Sequence, residues 1–138
     1  MMPESLTDTP GVFSFDLEAL QAPRDFTPFR PGVEISRLYG NETTGASAAV
    51  LRYAPGASVP EHVHQGYEHV LILDGEQRDH RGSYPAGTLI VNLPGTRHAV
   101  SSPMGCVALL IWQHPVHFVE TAAEAISARL ADEAPDGH

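Results

Sequence analysis

The chain of 138 residues contains no lysine, and all eight of its basic residues are arginines. This absence excludes Schiff-base catalysis, a lysine-bound pyridoxal phosphate and a Walker-type phosphate loop. The formal net charge is −9, which argues against nucleic acid and against an anionic membrane as direct partners. No G-x-S-x-G motif occurs either, so a serine nucleophile of that type is not supported.

Cysteine and long apolar runs are scarce as well. Cys106 is the single cysteine, which excludes an intrachain disulfide. It follows Gly105 and opens an apolar run, so we expect a buried small hydrophobe, with a redox-sensing thiol as the alternative. No apolar run of about 18 residues is present, and no basic segment precedes a shorter one. We therefore expect neither a transmembrane span nor a signal peptide, and the predicted location is cytoplasmic.

Short runs of β-forming residues, each bounded by Gly, Pro, Asn or Asp, fill the middle of the chain. They occupy residues 33–39, 48–53, 59–64, 69–73, 88–93, 98–101 and 107–113. Short strands at this regular spacing are typical of an all-β sandwich or barrel.

The two ends of the chain differ from this middle part. Residues 1–30 are rich in Pro, Thr and acidic residues, and Phe13, Leu17 and Leu20 recur at the spacing of one short helix. From residue 119 onward, apolar residues at three-to-four spacing predict a C-terminal amphipathic helix. They are Ala122, Ala123, Ile126 and Leu130. The sequence therefore predicts an N-terminal arm (1–30), one β-barrel domain (31–118), and a C-terminal helix and tail (119–138).

Metal-binding residue types cluster in the window GASVPEHVHQGYEHVLILDG, residues 56–75. His62 and His64 are two apart, so on a strand both imidazoles project from one face. Glu68 has the same parity, and it returns to the same cavity if Gln65 and Gly66 form a bend. Two imidazoles and a carboxylate suit Fe, Mn, Ni, Zn or Cu, and a further ligand is needed from elsewhere.

His98 is the predicted fourth ligand. It ends the stretch GTLIVNLPGTRH, residues 87–98, in which an apolar strand and a Pro-Gly turn lead into the next strand. We therefore expect one divalent metal ion per chain (Fe, Zn, Mn or Ni), held by His62, His64, Glu68 and His98. The remaining histidines share no spacing with this set and are not predicted ligands. They are His69, whose parity is opposite to that of Glu68, and His80, His114, His117 and His138.

These residues resemble the two motifs of the cupin family. The first motif, G-x5-H-x-H-x3,4-E-x6-G, is matched at Gly56, His62, His64, Glu68 and Gly75. The second, G-x5-P-x-G-x2-H-x3-N, is matched at Gly87, Gly95 and His98, but its proline falls one place late at Pro94 and its asparagine is Ser102. From about residue 31 to 112 the chain is similar to the ChrR-like cupins, a class named for an anti-sigma factor whose C-terminal half is a cupin. The resemblance implies a double-stranded β-helix, or jelly-roll barrel, with a bound metal.

Two apolar runs bear on assembly. Residues 70–73 (VLIL) and 89–91 (LIV) do not alternate with polar residues, so we expect both faces of these strands to be buried. One face would line the barrel, and the other would pack against a second subunit. Cover by the N-terminal arm or the C-terminal helix is the alternative. We predict a homodimer, and the resemblance implies the same.

Function follows from the open positions of such a site. Four protein ligands on a six-coordinate ion leave up to two positions, which a small chelating molecule and dioxygen can take. The resemblance extends to enzymes that cleave β-diketones and hydroxyacetophenones oxidatively. We therefore predict a metal-dependent, dioxygenase-like protein that acts on a small enolic or keto substrate.

Two other functions stay open. One is a regulatory sensor of oxidative stress, as in the ChrR-like anti-sigma factors. Residues 1–30 contain no cysteine and no histidine, so they cannot supply the zinc-binding helical half of such a factor. The other is a metal-dependent binder of a small molecule without turnover, because one fold serves many functions.

Overall fold

The computed structural model describes residues 11–23, 25–41 and 43–118. One short helix and ten strands lie in these ranges. In chain order they are α1 (Leu17–Gln21), β1 (Thr27–Arg30), β2 (Val33–Gly40), β3 (Ser47–Tyr53), β4 (Ala57–Val63), β5 (Glu68–Asp79), β6 (Gly82–Pro85), β7 (Leu89–Asn92), β8 (Arg97–Ser102), β9 (Cys106–Trp112) and β10 (His117–Phe118).

The strands pair antiparallel in two sheets that share β5. The first sheet has the order β1-β2-β3-β9-β5-β7, and the second has the order β10-β4-β8-β5-β6. Both sheets curl around one apolar interior, so the prediction of an all-β barrel is confirmed. The interior cluster consists of Val33, Ile35, Ala49, Leu51, Tyr53, Val59, Val70, Ile72, Ile90, Val100, Cys106, Ala108 and Leu110.

Strand β5 passes from one sheet into the other at Gly75. The strand predicted over 69–73 was expected to end at the Asp and Gly that follow it, and this was wrong: β5 continues through Asp74 and Gly75, with a shift of register against β9 between Ile72 and Asp74. Gly75 has a φ of 77°, and a Cβ there would collide with the carbonyl oxygen of Gly105. A glycine is therefore required by the crossing of two strands rather than by a turn.

The seven predicted strands are present with ends that differ by one or two residues, apart from the extension of β5 to Asp79. Three strands were not predicted. They are β1, β6 and β10, of which β1 and β6 contain a proline and β10 has two residues. Since β1 pairs with β2, the sheet begins inside the segment predicted as an N-terminal arm.

The short helix predicted in the arm is present as α1. The Asp16 carboxylate caps it by accepting a hydrogen bond of 2.8 Å from the Ala19 amide. The predicted C-terminal helix and tail, 119–138, lie outside the described residues. Within the part of the chain that the structure describes, no helix is long and apolar enough to cross a membrane.

The outer face of the first sheet is only partly covered. α1 lies against β5 and β9, and Gln21 Nε2 donates a 3.4 Å hydrogen bond to the Leu73 carbonyl oxygen. On the edge strand β7, Ile90 and Asn92 face inward and are buried, whereas Leu89 and Val91 are 59% and 43% exposed. The described part of the arm does not cover these two side chains, and the homodimer stays a prediction.

Candidate metal centre

The four predicted ligands lie together inside the barrel. His62 is on β4, His64 follows that strand, Glu68 begins β5, and His98 is on β8. All four are buried, and one nitrogen or oxygen atom of each lies within 4.8 Å of the others. Ligand types and distances of this kind suit a single transition-metal ion.

Strand pairing explains this convergence. His62 is opposite His98 in the β4–β8 ladder, after an irregularity between Val59 and His62. The chain bends at Gln65 and Gly66, as predicted. His64 is fixed on both sides of its peptide, since its amide donates to Thr96 O at 2.8 Å and its carbonyl accepts from the Gly95 amide at 2.7 Å.

Hydrogen bonds at the outer nitrogen of each ring define the tautomers. His62 Nδ1 lies 2.9 Å from Pro60 O, and His64 Nδ1 lies 3.1 Å from Thr96 O. His98 Nδ1 lies 2.8 Å from Asp79 Oδ2. Carbonyl and carboxylate oxygens only accept, so Nδ1 is the donor in all three rings. This tautomer presents the Nε2 lone pair of each ring to the centre, which is how a histidine binds a metal.

The inner nitrogens have no satisfactory partner without a cation. His64 Nε2 is buried and makes no hydrogen bond with any described residue, although Glu68 Oε1 lies 3.1 Å away. His62 Nε2 and His98 Nε2 are 3.1 Å apart. Two lone pairs at that distance repel each other unless a proton or a metal ion lies between them. The donor set thus fits a metal ion bound through three Nε2 atoms and one carboxylate oxygen.

Glu68 is held by two side chains. Asn92 Nδ2 donates to Oε1 at 2.9 Å, and Trp112 Nε1 donates to Oε2 at 2.5 Å. Burial acts to raise the pKa of Glu68, but the neighbouring His64 and His62 rings and the Trp112 N–H act more strongly in the other direction. The pKa is lowered overall, so the carboxylate is ionised and ready to bind a cation.

Asp79 and Arg81 support the other side of the centre. The Asp79 side chain is fully buried, and its Oδ2 accepts from both His98 Nδ1 and Arg81 Nη2, the latter at 2.7 Å. Arg81 Nη2 also donates to Asn92 Oδ1 at 2.9 Å. Burial acts to raise the pKa of Asp79, but the hydrogen bonds from Arg81 and His98 outweigh it and hold that pKa well below its usual range. Arg81 therefore connects the group that orients His98 with the group that orients Glu68.

Burial also affects the imidazoles. It lowers the pKa of His62 to about 4, although the Pro60 carbonyl acts in the opposite direction. It lowers the pKa of His98 as well, against the effect of the Asp79 hydrogen bond. Both rings are therefore neutral near pH 7, as ligation requires.

A small cavity of about 30 Å³ adjoins three of the ligands. Its walls are mainly apolar. The lining residues are Phe29, Leu51, Tyr53, Val59, His62, Glu68, Val70, Gln77, His98, Val100, Leu110, Trp112, Val116 and Phe118. The partly exposed ones are Phe29, Trp112, Val116 and Phe118, so the mouth of the cavity lies among these four side chains. This volume holds one or two water molecules, and a larger ligand needs the mouth to open.

A larger groove of about 690 Å³ lies on the far side of Phe29 and Tyr53, along residues 28–34 and 52–55. It is open to solvent, and none of the four predicted ligands lines it. We assign the functional site to the smaller cavity because the metal-binding atoms and the titratable groups with shifted pKa values are there.

Side chains that we did not predict as ligands lie elsewhere. His80, His114 and His117 are exposed, and His69 is half-buried beside Glu68; His138 is outside the described residues. Cys106 is buried in the core, and burial raises the pKa of its thiol, as expected for a structural cysteine. Tyr67 is 46% exposed, and Arg97 pairs with Glu61 at 2.7 Å on the surface.

Sequence reasoning missed the residues that orient the ligands, namely Asp79, Arg81, Asn92, Thr96 and Trp112. Asp79 and Arg81 lie beyond the strand predicted over 69–73, and Trp112 lies outside the two motifs. Asn92 had one usable signal, since it is a polar residue inside the apolar run before Pro94.

Comparison with known proteins identifies the family. The family model of the ChrR Cupin-like domain matches residues 19–117. The chain belongs to this family. The match confirms the resemblance seen in the two motifs, and the barrel is a cupin fold.

Solved structures agree with this assignment. An acetylacetone dioxygenase from Acinetobacter johnsonii is 18% identical, with a TM-score of 0.70, over 92% of this chain and 96% of that one. The complex of Rhodobacter sphaeroides SigE with the anti-sigma factor ChrR matches at 27% identity and a TM-score of 0.59, over 65% and 50%. A Ralstonia eutropha JMP134 protein of unknown function with a cupin-like fold matches at 20% identity and a TM-score of 0.60, over 64% and 60%. The chain thus spans half to three fifths of the length of the last two. No curated protein matches.

Proposed function

We propose that this protein is a metal-dependent dioxygenase that acts on a small enolic or keto compound. The observation that carries this proposal is the convergence of three Nε2 lone pairs and an ionised carboxylate beside a small, mainly apolar cavity. The acetylacetone dioxygenase of Acinetobacter johnsonii, which has a similar fold over nearly the whole of both chains, supports the same substrate class.

His62, His64 and His98 would hold the ion through Nε2, and Glu68 would hold it through a carboxylate oxygen. When bound, a redox-active ion such as iron would supply Lewis acidity and electron transfer to dioxygen. Cleavage of a β-diketone in this way breaks one C–C bond and places both atoms of O₂ in the two products, so no external reductant is needed.

The protein's own contribution is orientation and exclusion of water. The Nδ1 hydrogen bonds to Pro60, Thr96 and Asp79 fix the planes of the three rings. Apolar side chains such as Val70, Val100 and Leu110 form the cavity wall. A dry wall strengthens the interaction between the charged centre and a polar substrate and keeps solvent away from the reacting atoms.

Oxygen consumption tests this function. Protein loaded with Fe²⁺ without air should consume O₂ when it is given at least one member of a panel of β-diketones, hydroxyaryl ketones and catechols. Zinc-loaded protein is the matched control, because Zn²⁺ occupies the same ligands without redox chemistry. His69→Ala should keep the activity, whereas His98→Ala should lose it together with the metal. Iron-loaded protein that consumes no more O₂ than the zinc form with every panel member would contradict the oxygenase function.

A regulatory function is the second candidate, since the chain belongs to the ChrR Cupin-like domain family and is 27% identical to the matched part of ChrR. In that case the metal centre would sense an oxidant for a transcription protein instead of turning over a substrate. Affinity purification from a cell extract distinguishes the regulatory function from the oxygenase function. The proteins recovered with the wild type are compared with those recovered with a His64→Ala, His98→Ala double variant. Metal-dependent recovery of a sigma factor, without turnover on the panel, would favour the regulator. Metal-dependent ligand binding with neither result would indicate a non-catalytic binder.

A further inference from the structure

Arg30, on β1, is a charged side chain without a carboxylate partner among the described residues. Its Nε is buried and makes no hydrogen bond with any of them. Four other arginines form ion pairs with carboxylates, namely Arg52, Arg78, Arg81 and Arg97, whereas no ion pair of Arg30 is found in the part of the chain that the structure describes. Since acidic residues outnumber basic ones by 17 to 8, a shortage of carboxylates does not explain this contrast.

The guanidinium of Arg30 lies at the mouth of the metal cavity. Its Cζ is 3.6 Å from the ring centroid of Phe118 and 5.6 Å from that of Phe29, two of the four side chains that form the mouth. The ring centroid of Phe118 is in turn 5.6 Å from that of His62. One aromatic ring therefore separates the guanidinium from a predicted ligand of the metal.

Arg30 also lines the open groove beside the cavity. The side chain is only partly buried, and the groove of about 690 Å³ shares Phe29 and Tyr53 with the walls of the cavity. A solute that enters the groove reaches Arg30 next to the place where the metal-binding atoms converge. One small molecule can therefore contact both Arg30 and the metal centre once the mouth opens.

An arginine in this position is costly unless a ligand binds to it. An N–H group that is taken from water and given no acceptor loses its hydration without compensation. The stack on Phe118 recovers part of this cost through a cation–π contact, and it holds the guanidinium plane in one orientation. The unpaired group still needs an explanation, and an acceptor on a bound anion supplies one.

The charges around Arg30 favour a ligand with a single negative charge. Arg52 lines the same groove, but Glu34 neutralises it through an ion pair of 2.6 Å. One positive charge therefore remains among the residues that line the groove, beside a glutamate that repels further negative charge. A carboxylate carries one charge and matches the planar fork of an arginine, whereas a phosphate group carries up to two.

We propose that Arg30 binds a carboxylate of the substrate at the mouth of the cavity, apart from the atoms that the metal holds. The substrate class is then a small keto acid, with a metal-chelating enol or keto head and a carboxylate on a short chain. This inference rests on the proposed function, because the metal must hold the head. Since the cavity of about 30 Å³ is smaller than such a head, the side chains at its mouth move apart as the ligand binds.

Succinylacetone and its methyl ester test this carboxylate subsite. They share a β-diketone head and differ in the charge at the end of a short alkyl chain. Zinc-loaded protein, in which the ion has no redox chemistry, should bind the acid roughly tenfold more tightly than the ester by calorimetry. Arg30→Gln should abolish this preference and leave the zinc content and the affinity for the ester unchanged. Arg37→Gln, at an exposed arginine of β2 outside the groove, changes the net charge equally and should keep the preference.

Arg30→Lys gives a second readout, because it keeps the charge and loses the planar fork. It should retain a preference of about threefold for the acid, and complete loss in a variant with intact zinc content would show that the charge does not bind the ligand. Equal weakening of acid and ester in Arg30→Gln would mean that Arg30 only positions Phe118. A preference that persists in Arg30→Gln would mean that the carboxylate binds the metal itself. Each of these three results would overturn the subsite.

The remaining outcomes separate the subsite from the function on which it rests. Equal binding of acid and ester by the wild-type protein would overturn the subsite and leave the proposed enolic or keto head intact. A preference for the acid, without O₂ consumption by the iron-loaded protein, would support the subsite and contradict the oxygenase function. Zinc-loaded protein that binds neither compound would overturn both.

Discussion

His62 and His64 are oriented by backbone carbonyl oxygens, whereas His98 and Glu68 are oriented by side chains. Substitution cannot remove the carbonyl groups of Pro60 and Thr96, so the first half of the centre depends mainly on the course of the chain. The second half depends on a buried carboxylate and its arginine. A buried carboxylate is stable only while it is paired, so we expect this half to be the more sensitive to mutation.

Removal of a ligand side chain should have the largest effect on metal occupancy, and the loss should be equal in the two halves of the centre. Purified protein should contain about one divalent metal ion per chain, and His64→Ala or His98→Ala should remove it, because the other ligands cannot complete the site. Metal analysis by mass spectrometry gives the occupancy, with His69→Ala as a control at a neighbouring histidine. A ligand variant that retains full occupancy would show that the residue was wrongly assigned.

Substitution of the residues that orient the ligands should weaken metal binding more in the second half than in the first. Asp79→Asn replaces the charged acceptor of His98 Nδ1 by a neutral one and should weaken metal binding by roughly 10- to 100-fold. Thr96→Ala keeps the carbonyl that accepts from His64. It removes the Oγ1 contact with His64 at 3.0 Å and the hydrogen bond that Oγ1 donates to Leu93 O at 2.6 Å, so at most about a threefold change in metal affinity is expected.

Competition with a chromogenic chelator measures both affinities. Glu76→Gln, on the same strand as Asp79 and paired with Arg78 near the surface, is the control and should bind metal as the wild type does. Equal losses in Asp79→Asn and Thr96→Ala would remove the distinction between the two halves.

The pH dependence of stability tests the burial of the imidazoles. A buried His62 with a pKa of about 4, against 6.5 in the unfolded chain, contributes stability that is fully present above pH 6.5 and is lost as the pH falls toward 4. The expected loss for metal-free protein is about 3 kcal/mol in the free energy of unfolding, and the lowered pKa of His98 acts with the same sign.

Urea unfolding of metal-free protein at a series of pH values measures this loss. His62→Gln should show a shallower decline over the same range. A free energy of unfolding that stays constant between pH 6.5 and 4.5 would mean that the rings are solvated in the folded state.

Substitutions on the outer face of β7 should not change metal binding by either half of the centre. If Leu89 and Val91 pack against a second copy of the chain, light scattering should give about twice the chain mass of 14.9 kDa. Leu89→Asp should then shift the protein toward the monomer without changing its metal content, because Leu89 points away from the centre. Tyr39→Asp, at another exposed position, is the control. A monomeric wild type at high micromolar concentration would exclude the dimer.

Local sequence was sufficient to predict most of the barrel and the four converging side chains. The period of a strand places His62 and His64 on one face, a Gly-containing bend returns Glu68, and a Pro-Gly turn delivers His98. Each of these steps involves residues close in sequence, so the pattern alone determines the geometry. The boundaries of β6 and β10 were beyond this reasoning, because such short strands exist only through the neighbours with which they pair.

The tertiary structure alone decided how β5 is used and what surrounds the ligands. Asp74 and Gly75 have the composition of a turn, yet β5 continues through them. The glycine is required there because the Gly105 carbonyl oxygen passes close to its Cα. That extension carries Gln77 into the cavity and Asp79 to His98, and it brings Arg81 within reach of Asn92. Trp112, which is 44 residues further along the chain, donates a hydrogen bond to Glu68. Contacts between residues so far apart in sequence depend on how the two sheets close on each other, and no local pattern encodes that closure.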